Sequence, residues 1–354
     1  MSLGRIRSRT AHLSLAVLPL LAVAACGGDD GGTDTAAEGS SEEGAAEQPL
    51  SGERIRFIVP TSAGGGFDTT ARQIQPYLEE ALDATMVVEN LEGGGYAIGT
   101  QTAINTGGDC KTVLFHAVPH LTFSYLTQNV DYTLEDLAPL AGLTTEPGMW
   151  RVRDDAPWNS FEELIEDAKA RPNEIKLSVS DLTTSNFVAV KQIQELTGAD
   201  FNVVPYDGGG PARTALIAGE VDVTEAGVFN SLGIDEGTKV LAVNQPENLW
   251  PDITDDAPTT SEALGMDVPP DASNYGLFVP QACADENPEV YEALKEAVGT
   301  AIENPEFLST LEELGEADKL EYLSSDEYGE LAQTSAQEIE DILADDPEAF
   351  SSAG

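Results

Sequence analysis

The stretch FIVPTSAGGGFDTTAR, Phe57–Arg72, predicts a buried strand that runs into a glycine loop and then into a helix. An apolar run, 57–59, is closed by Pro60, and the glycines 64–66 let the chain turn sharply and approach a ligand closely. Apolar residues then recur at helical spacing over 74–82, so the N-terminus of a helix faces the loop. Backbone N–H groups presented in this way suit a carboxylate or a phosphate.

The extreme N-terminus predicts export. Three arginines within the first nine residues precede an apolar run, 13–24, which is too short to span a bilayer and is typical of a secretory signal peptide. The run ends in Val-Ala-Ala-Cys, 23–26, which resembles a bacterial lipobox, in which the cysteine becomes the first mature residue and carries lipid. We therefore expect a signal peptide over 1–25 and a lipid anchor on Cys26 at the extracytoplasmic face of the membrane. The alternative is a leaderless protein with a buried Cys26.

Composition predicts a flexible tether followed by a large folded body. Residues 26–52 are rich in small and acidic residues with almost no apolar anchors, so they cannot bury enough surface to order themselves. About 300 residues remain, more than one core usually organises, so two lobes are expected.

The charge balance bears on partners. The chain has 17 Lys and Arg against 63 Asp and Glu, a net charge of −46, which excludes nucleic acid as a partner. These acids are spread along the chain, which indicates a solvated acidic surface rather than a cation site.

Strands and helices alternate through the middle of the chain. The predicted strands are 175–179, 201–204 and 221–224, and the predicted helices are 161–170, 186–197 and one that begins at Pro211. This alternation predicts an α/β fold with a parallel sheet, and ligands of such sheets bind at the carboxyl ends of the strands. The polar loops 180–185 and 206–210 lie at such ends.

Few residues suit covalent or metal chemistry. The chain has three histidines, and no Gly-x-Ser-x-Gly elbow or GxxxxGK[ST] loop occurs, so we expect neither catalytic residues nor a metal or other cofactor. Besides Cys26, the cysteines are Cys110 and Cys283. In an exported protein these two predict a single disulfide, with two buried free thiols as the alternative.

Five segments occur in the order and spacing of the tripartite tricarboxylate transporter substrate receptors, also called Bug receptors, and the sequence resembles this family over about 54–315. The segments are FIVPTSAGGGFDTTAR (57–72), VVENLEGGGYAIG (87–99), SVSDLTTSNF (178–187), VPYDGGGPA (204–212) with GEVDV (219–223), and YGLFVP (275–280). The resemblance implies a two-lobed Venus-flytrap receptor of the type II periplasmic-binding-protein fold, not an enzyme. Such a receptor captures a small carboxylate between its lobes and delivers it, as a monomer, to a permease of one large and one small membrane subunit.

The same resemblance implies a set of ligand-binding residues from both lobes. In the first lobe they are the loop Thr61, Ser62, Ala63, Gly64, Gly65 and Gly66, with Asp68 and Gly95. In the second lobe they are Ser180, Thr183, Thr184, Ser185, Asn186, Tyr206, Gly208 and Gly209. Asp68 has two compatible interpretations, as a plain helix N-cap and as the residue that secures the loop.

Several positions depart from the family pattern. Glycines are usual where Ser180 and Leu182 stand, a cation is frequent where Asp207 stands, and Gly or Ser is usual at His116. Since the strand 112–115 is expected to end at the cleft, His116 or His120 is a candidate donor to a ligand carboxylate, with an ordinary polar loop as the alternative.

The scarce arginines 72, 151 and 213 fit structural ion pairs better than a ligand clamp, and Arg213, beside the glycine turn, is the best clamp candidate among them. Combining these points, we expect lobe 1 to comprise 53–146 and 274–354 and lobe 2 to comprise 147–273. A sensor of the same fold that signals to a membrane kinase remains the alternative function.

Overall fold

The structure is a computed structural model that describes residues 49–345. The predicted signal peptide 1–25, the lipidated Cys26 and most of the tether lie outside the described residues. The last tether residues are described, and there Leu50 is buried in the core while Gly52 N donates to Asp83 O at 2.7 Å. The folded body therefore begins before the end of the predicted tether, because the buried Leu50 side chain and the Gly52 hydrogen bond attach this turn to the rest of the fold.

Helices and strands alternate along the chain. The strands are β1 Arg54–Val59, β2 Thr85–Asn90, β3 Thr112–Val118, β4 Leu137–Arg153, β5 Lys176–Val179, β6 Asn202–Pro205, β7 Val223–Gly227, β8 Thr238–Val243, β9 Ala272–Pro280 and β10 Leu320–Leu323. The helices are α1 Gly66–Leu82, α2 Ala97–Ile104, α3 His120–Thr127, α4 Phe161–Ala170, α5 Ser185–Thr197, α6 Gly209–Ala218, α7 Thr260–Leu264, α8 Gln281–Glu286, α9 Pro288–Ile302, α10 Pro305–Leu314 and α11 Ser325–Asp345. None of these helices is long and apolar enough to cross a membrane.

The strands follow the order β2-β1-β3-β9-β4-β7-β5-β6, with β8 and β10 also paired to β4. Pairing is parallel among β1, β2 and β3, and among β5, β6 and β7, as the strand–helix alternation predicts. Two long antiparallel strands, β4 and β9, join these groups. They were not predicted as sheet partners of each other, because antiparallel pairing between distant segments leaves no local sequence signal.

The long strand β4 changes partner within a single step. It pairs with β9 up to Pro147, opposite Ala272, and with β7 from Gly148, opposite Gly227. Separate apolar cores lie on the two sides of this point, one around Phe57 and the other around Trp150. The change of partner supports the proposed lobe boundary near 147, which remains a proposal.

Helix ends follow the sequence signals closely. Ser160 Oγ accepts a hydrogen bond from Glu163 N at 3.3 Å at the start of α4, and the Glu163 carboxylate accepts one from Asn159 N at 2.7 Å. Proline is the first residue of both α9 and α10. A disulfide joins Cys110 to Cys283 with an S–S distance of 2.01 Å and ties the turn before β3 to α8.

Candidate functional site

Three helices begin at one cavity. Helices α1, α5 and α6 follow loops at the ends of strands β1, β5 and β6, and the cavity is lined by Gly65 and Gly66, by Asn186, and by Gly208 and Gly209. The first turn of a helix leaves its N–H groups without intrahelical partners and carries the positive end of the helix dipole. Converging helix starts therefore give the cavity wall a positive potential and a supply of donors.

Asp68 holds the first loop from within its helix. The N-cap of α1 is Gly65, so the N-cap interpretation of Asp68 is wrong and this residue lies in the first turn. Its carboxylate accepts from Gly64 N at 2.9 Å and from Arg72 Nε at 2.9 Å. Burial would raise the pKa of Asp68, but the hydrogen bonds from Arg72, Gly64 and Asn90 hold it below its usual value. Asp68 therefore fastens the glycine loop to the helix start.

The glycine loops of the two sides touch across the cleft. A Cβ atom at Gly210 would lie 3.1 Å from Gly64 O, and one at Gly65 would lie 3.7 Å from Gly210 N. Gly208 has φ +118°, which few other residues adopt. The structure is a closed form that encloses a cavity of about 30 Å³, room for about two water molecules.

The structure brings eleven of the seventeen predicted ligand-binding residues to this cavity or to the wider cleft outside it. The cavity is lined by Thr61, Gly65, Gly66, Ser180, Asn186, Gly208 and Gly209. The outer cleft, of about 850 Å³, is lined by Ser62, Gly95, Thr183 and Tyr206. Ala63, Gly64, Asp68, His116, Thr184 and Ser185 line neither space.

Most of the predicted residues that line neither the cavity nor the outer cleft instead form contacts that hold the surrounding loops in place. Thr184 is the N-cap of α5 and accepts from Phe187 N at 3.2 Å. Ser185 Oγ lies 2.8 Å from Ser273 Oγ at the start of β9. The family departures have local roles as well, since Ser180 Oγ donates to Asn186 Oδ1 at 3.2 Å and Leu182 packs against the core around Trp150.

The two histidines were predicted to follow strand β3 at the cleft, and the structure places them differently. Strand β3 continues to Val118, three residues beyond the predicted end, so His116 lies inside the strand and is buried there. His120, at the start of α3, lines the cavity, and its Nδ1 has no hydrogen-bond partner among residues 49–345. Burial lowers the pKa of both histidines to about 3, so each is neutral and can offer at most one N–H.

Arg213 is the cation that faces the cavity. It lies in the second turn of α6, is 9% exposed and lines the cavity, and no hydrogen-bond or ion-pair partner of its guanidinium is present in the described part of the chain. Arg72 instead pairs with Asp68, and Arg151 pairs with Asp235 at 3.0 Å, as expected for structural cations. An unpaired buried guanidinium is suited to bidentate binding of a carboxylate.

Sequence reasoning missed the acids of the cavity. Glu146 on β4 and Glu225 on β7 both line it and are 4% and 1% exposed. Burial raises the pKa of Glu146 to about 7, and burial together with nearby Asp271 raises the pKa of Glu225 well above its usual value. An acid inside an otherwise apolar strand, as in Val-Thr-Glu-Ala-Gly at 223–227, is the signal that could have identified Glu225.

An aromatic wall completes the cavity and was also missed. Phe67, Tyr96 and Tyr275 line it, with ring centroids 5.6 Å apart for Phe67 and Tyr96 and 4.8 Å apart for Phe67 and Tyr275. Asn230 donates through Nδ2 to the Tyr275 hydroxyl at 2.8 Å. These rings exclude water, so charges that meet in the cavity interact strongly.

Comparisons with known proteins agree with this architecture. The family described as "Tripartite tricarboxylate transporter family receptor" matches residues 70–345. BugT of Bordetella pertussis is 32% identical over 170 residues, 47% of this chain and 52% of that protein. An Agrobacterium vitis protein encoded in the ttuE-ttuC' intergenic region is 27% identical over 263 residues, 74% of this chain and 75% of that protein.

Solved structures show the same fold. The periplasmic binding protein BugD superposes with a TM-score of 0.73 at 22% identity, over 82% of this chain and 97% of that one. MatC of Rhodopseudomonas palustris, solved with bound malate, gives a TM-score of 0.72 at 22% identity, over 82% of this chain and 99% of that one. The fold is thus the two-lobed α/β fold of periplasmic binding proteins, as the sequence predicts. The chain therefore belongs to the tripartite tricarboxylate transporter receptor family, a family of periplasmic solute-binding receptors.

Proposed function

We propose that this protein is a lipid-anchored extracytoplasmic receptor that captures a small carboxylate metabolite in the interlobe cavity. The observation that carries the proposal is Arg213, a buried guanidinium without an acceptor among residues 49–345, beside the helix starts at Gly66 and Gly209. A carboxylate in the cavity satisfies the guanidinium and the first-turn amides together. The fold neighbours solved with malate and with adipate make four- and six-carbon carboxylates suitable first probes.

Capture requires the cleft to open and close. The closed cavity of about 30 Å³ is far below the roughly 300 Å³ or more that small-molecule sites occupy, so the glycine loops must separate to admit a ligand. Closure then excludes water and strengthens each hydrogen bond to the carboxylate.

We further propose that the receptor delivers its ligand to a permease of one large and one small membrane subunit. The lipid on Cys26 would keep the receptor at the membrane, and residues 27–48 would serve as a flexible tether that lets the folded body reach the permease. Uptake of a labelled ligand by cells should be lost in a Cys26→Ala strain that releases the receptor, and should also be lost without the permease subunits. Uptake independent of the permease, with a ligand-dependent transcriptional response, would instead favour a sensor.

A thermal-shift screen tests the binding function directly. Protein lacking residues 1–26 is melted with a panel of carboxylates that includes malate, adipate and citrate. A true ligand at 100 times its dissociation constant should stabilise the folded state by about 2.7 kcal/mol. The absence of a shift with every carboxylate in the panel would contradict the proposal.

A further inference from the structure

The charges that face the cavity do not suit a ligand that is only anionic. Two carboxylates, Glu146 and Glu225, line the cavity beside a single formally charged cation, Arg213. All three side chains are at least nine-tenths buried. A ligand with carboxylates alone would have to lie against two buried acids that must then stay protonated, because close contact between like charges in a dry site is costly.

The two acids are held in place but keep acceptor capacity. Glu146 Oε1 accepts from Asn230 N at 3.0 Å. Glu225 accepts from Asn244 Nδ2 at 2.7 Å and from Asn186 Nδ2. Each carboxylate oxygen has two lone pairs, so both groups can accept further hydrogen bonds from a ligand.

Both acids also belong to the same wall. Glu225 and Gly227 are two residues apart on β7 and therefore share one face of the strand. The Glu146 side chain packs directly on that face at Gly227, where no Cβ stands in its way. The acids thus lie on the β4 and β7 side, whereas Arg213 belongs to α6 near the first-turn amides.

We propose that the carboxylate ligand of this receptor also carries a cationic nitrogen, which Glu146 and Glu225 bind while Arg213 and the helix starts bind the carboxylate. The class of ligand is an amino carboxylate or its N-methylated form. The aromatic wall of Phe67, Tyr96 and Tyr275 suits this class, since aromatic faces attract ammonium groups. This inference rests on the proposed function, because it takes the cavity as the solute site.

Proton linkage gives a test that needs no mutation. Glu146, which faces Lys319, Arg213 and Tyr275, has its pKa raised to about 7, and Glu225, which faces Asp271, is also raised. Near pH 6.5 Glu146 therefore holds a proton in much of the ligand-free protein, and a cationic nitrogen should displace it. A ligand with carboxylates alone should cause net proton uptake instead.

The screen uses matched pairs that differ only by nitrogen. Malate is compared with aspartate, adipate with 2-aminoadipate, and propionate with alanine and its N-trimethyl betaine, by thermal shift and then by calorimetry in phosphate and imidazole buffers. We expect a nitrogen-bearing member to bind about tenfold or more tightly than its partner and to release protons. If nitrogen-free carboxylates bind better, or binding takes up protons, this inference is wrong while the proposed receptor function stands. If neither class binds, both fail.

Conservative variants identify the acids responsible. Glu146→Gln and Glu225→Gln keep the size of the side chain but remove its charge, and exposed Glu313→Gln is the matched control. We expect each cavity variant to lose about tenfold in affinity for the nitrogen-bearing ligand and to bind its nitrogen-free partner as well or better, with the control unchanged. An unchanged preference in folded variants would overturn the assignment, and the proton measurement decides the matter if the variants do not fold.

Discussion

Ser62 Oγ donates a hydrogen bond of 2.7 Å to the carbonyl oxygen of Asp207, although 145 residues separate them. Ser62 belongs to the loop before α1 and Asp207 to the loop before α6. The bond therefore joins the two glycine loops across the cleft in this closed form. The backbone of Asp207 accepts it, so the side chain at 207 takes no part in this bond.

Removing this bond should favour the open cleft. A neutral hydrogen bond contributes about 1 kcal/mol, so Ser62→Ala should weaken ligand binding by about fivefold. The measurement is the dissociation constant by calorimetry, with small-angle scattering of the ligand-free protein as a second readout of opening. Equal affinity in the variant would show that the bond does not contribute to closure.

Gly210→Ala should obstruct closure without disturbing α6. Its Cβ would lie 3.1 Å from Gly64 O across the cleft, tighter than most such contacts, whereas a Cβ at Gly233 meets nothing within 4 Å. We expect Gly210→Ala to bind ligand about tenfold more weakly and Gly233→Ala to bind normally. Both variants should melt close to the parent in the absence of ligand, and a large loss of stability in Gly210→Ala would argue against a closure-specific effect.

Loss of the cavity guanidinium should abolish most carboxylate affinity. Arg213→Gln removes the charge, and Arg213→Lys keeps it but loses the planar fork, so we expect losses of about 100-fold and about tenfold, respectively. Exposed Arg171, which pairs with Asp167, provides the control Arg171→Gln. Calorimetry with the ligand identified in the screen gives the affinities, and retention of affinity in Arg213→Gln would place the carboxylate elsewhere.

Stability should fall as the pH rises from about 5 to about 7. The pKa of Glu146 is raised by burial from 4.5 to about 7, so between these values the folded state binds more protons than the unfolded state. The contribution of this group is then fully present below the unfolded pKa and is lost as the pH rises through the folded pKa, by an amount on the order of 2 kcal/mol.

Urea denaturation of the ligand-free protein measures this effect. The free energy of unfolding should decline between about pH 5 and pH 7.5, and Glu146→Gln should flatten the decline because the amide does not titrate. A decline of the same size in the variant would assign the effect to other buried acids, with Asp271 the next to test because its pKa is also raised to about 7.

The disulfide should stabilise the fold without affecting ligand binding. It joins residues 173 positions apart, and loss of a native disulfide commonly costs about 2–5 kcal/mol. Reduction, or the double variant Cys110→Ser with Cys283→Ser, should lower the melting temperature markedly. The dissociation constant should stay the same, since neither cysteine lines the cavity.

Local patterns predicted much of this molecule because their causes are local. The strand–glycine–helix unit at 57–82, the helix cap at Gly198 and the prolines that begin α9 and α10 each depend on neighbouring residues. The glycine loops were correctly chosen as the walls of a site, since helix starts with free amides follow from the same patterns. Errors arose at boundaries, as with His116, because β3 continues to Val118 through its antiparallel pairing with β9, after its pairing with β1 has ended at Leu114.

By itself, the sequence determined the fold class, the family and the two glycine loops that face each other, because periodicity, turn residues and helix caps act within a few residues. Only the tertiary structure decided what lies between those loops. Glu146, Glu225, Arg213 and Tyr275 come from four separate elements, and their proximity depends on the long antiparallel strands that join the two halves. Burial in that shared space raises the pKa of both acids and leaves the guanidinium facing the cavity, and burial is a property of the assembled fold.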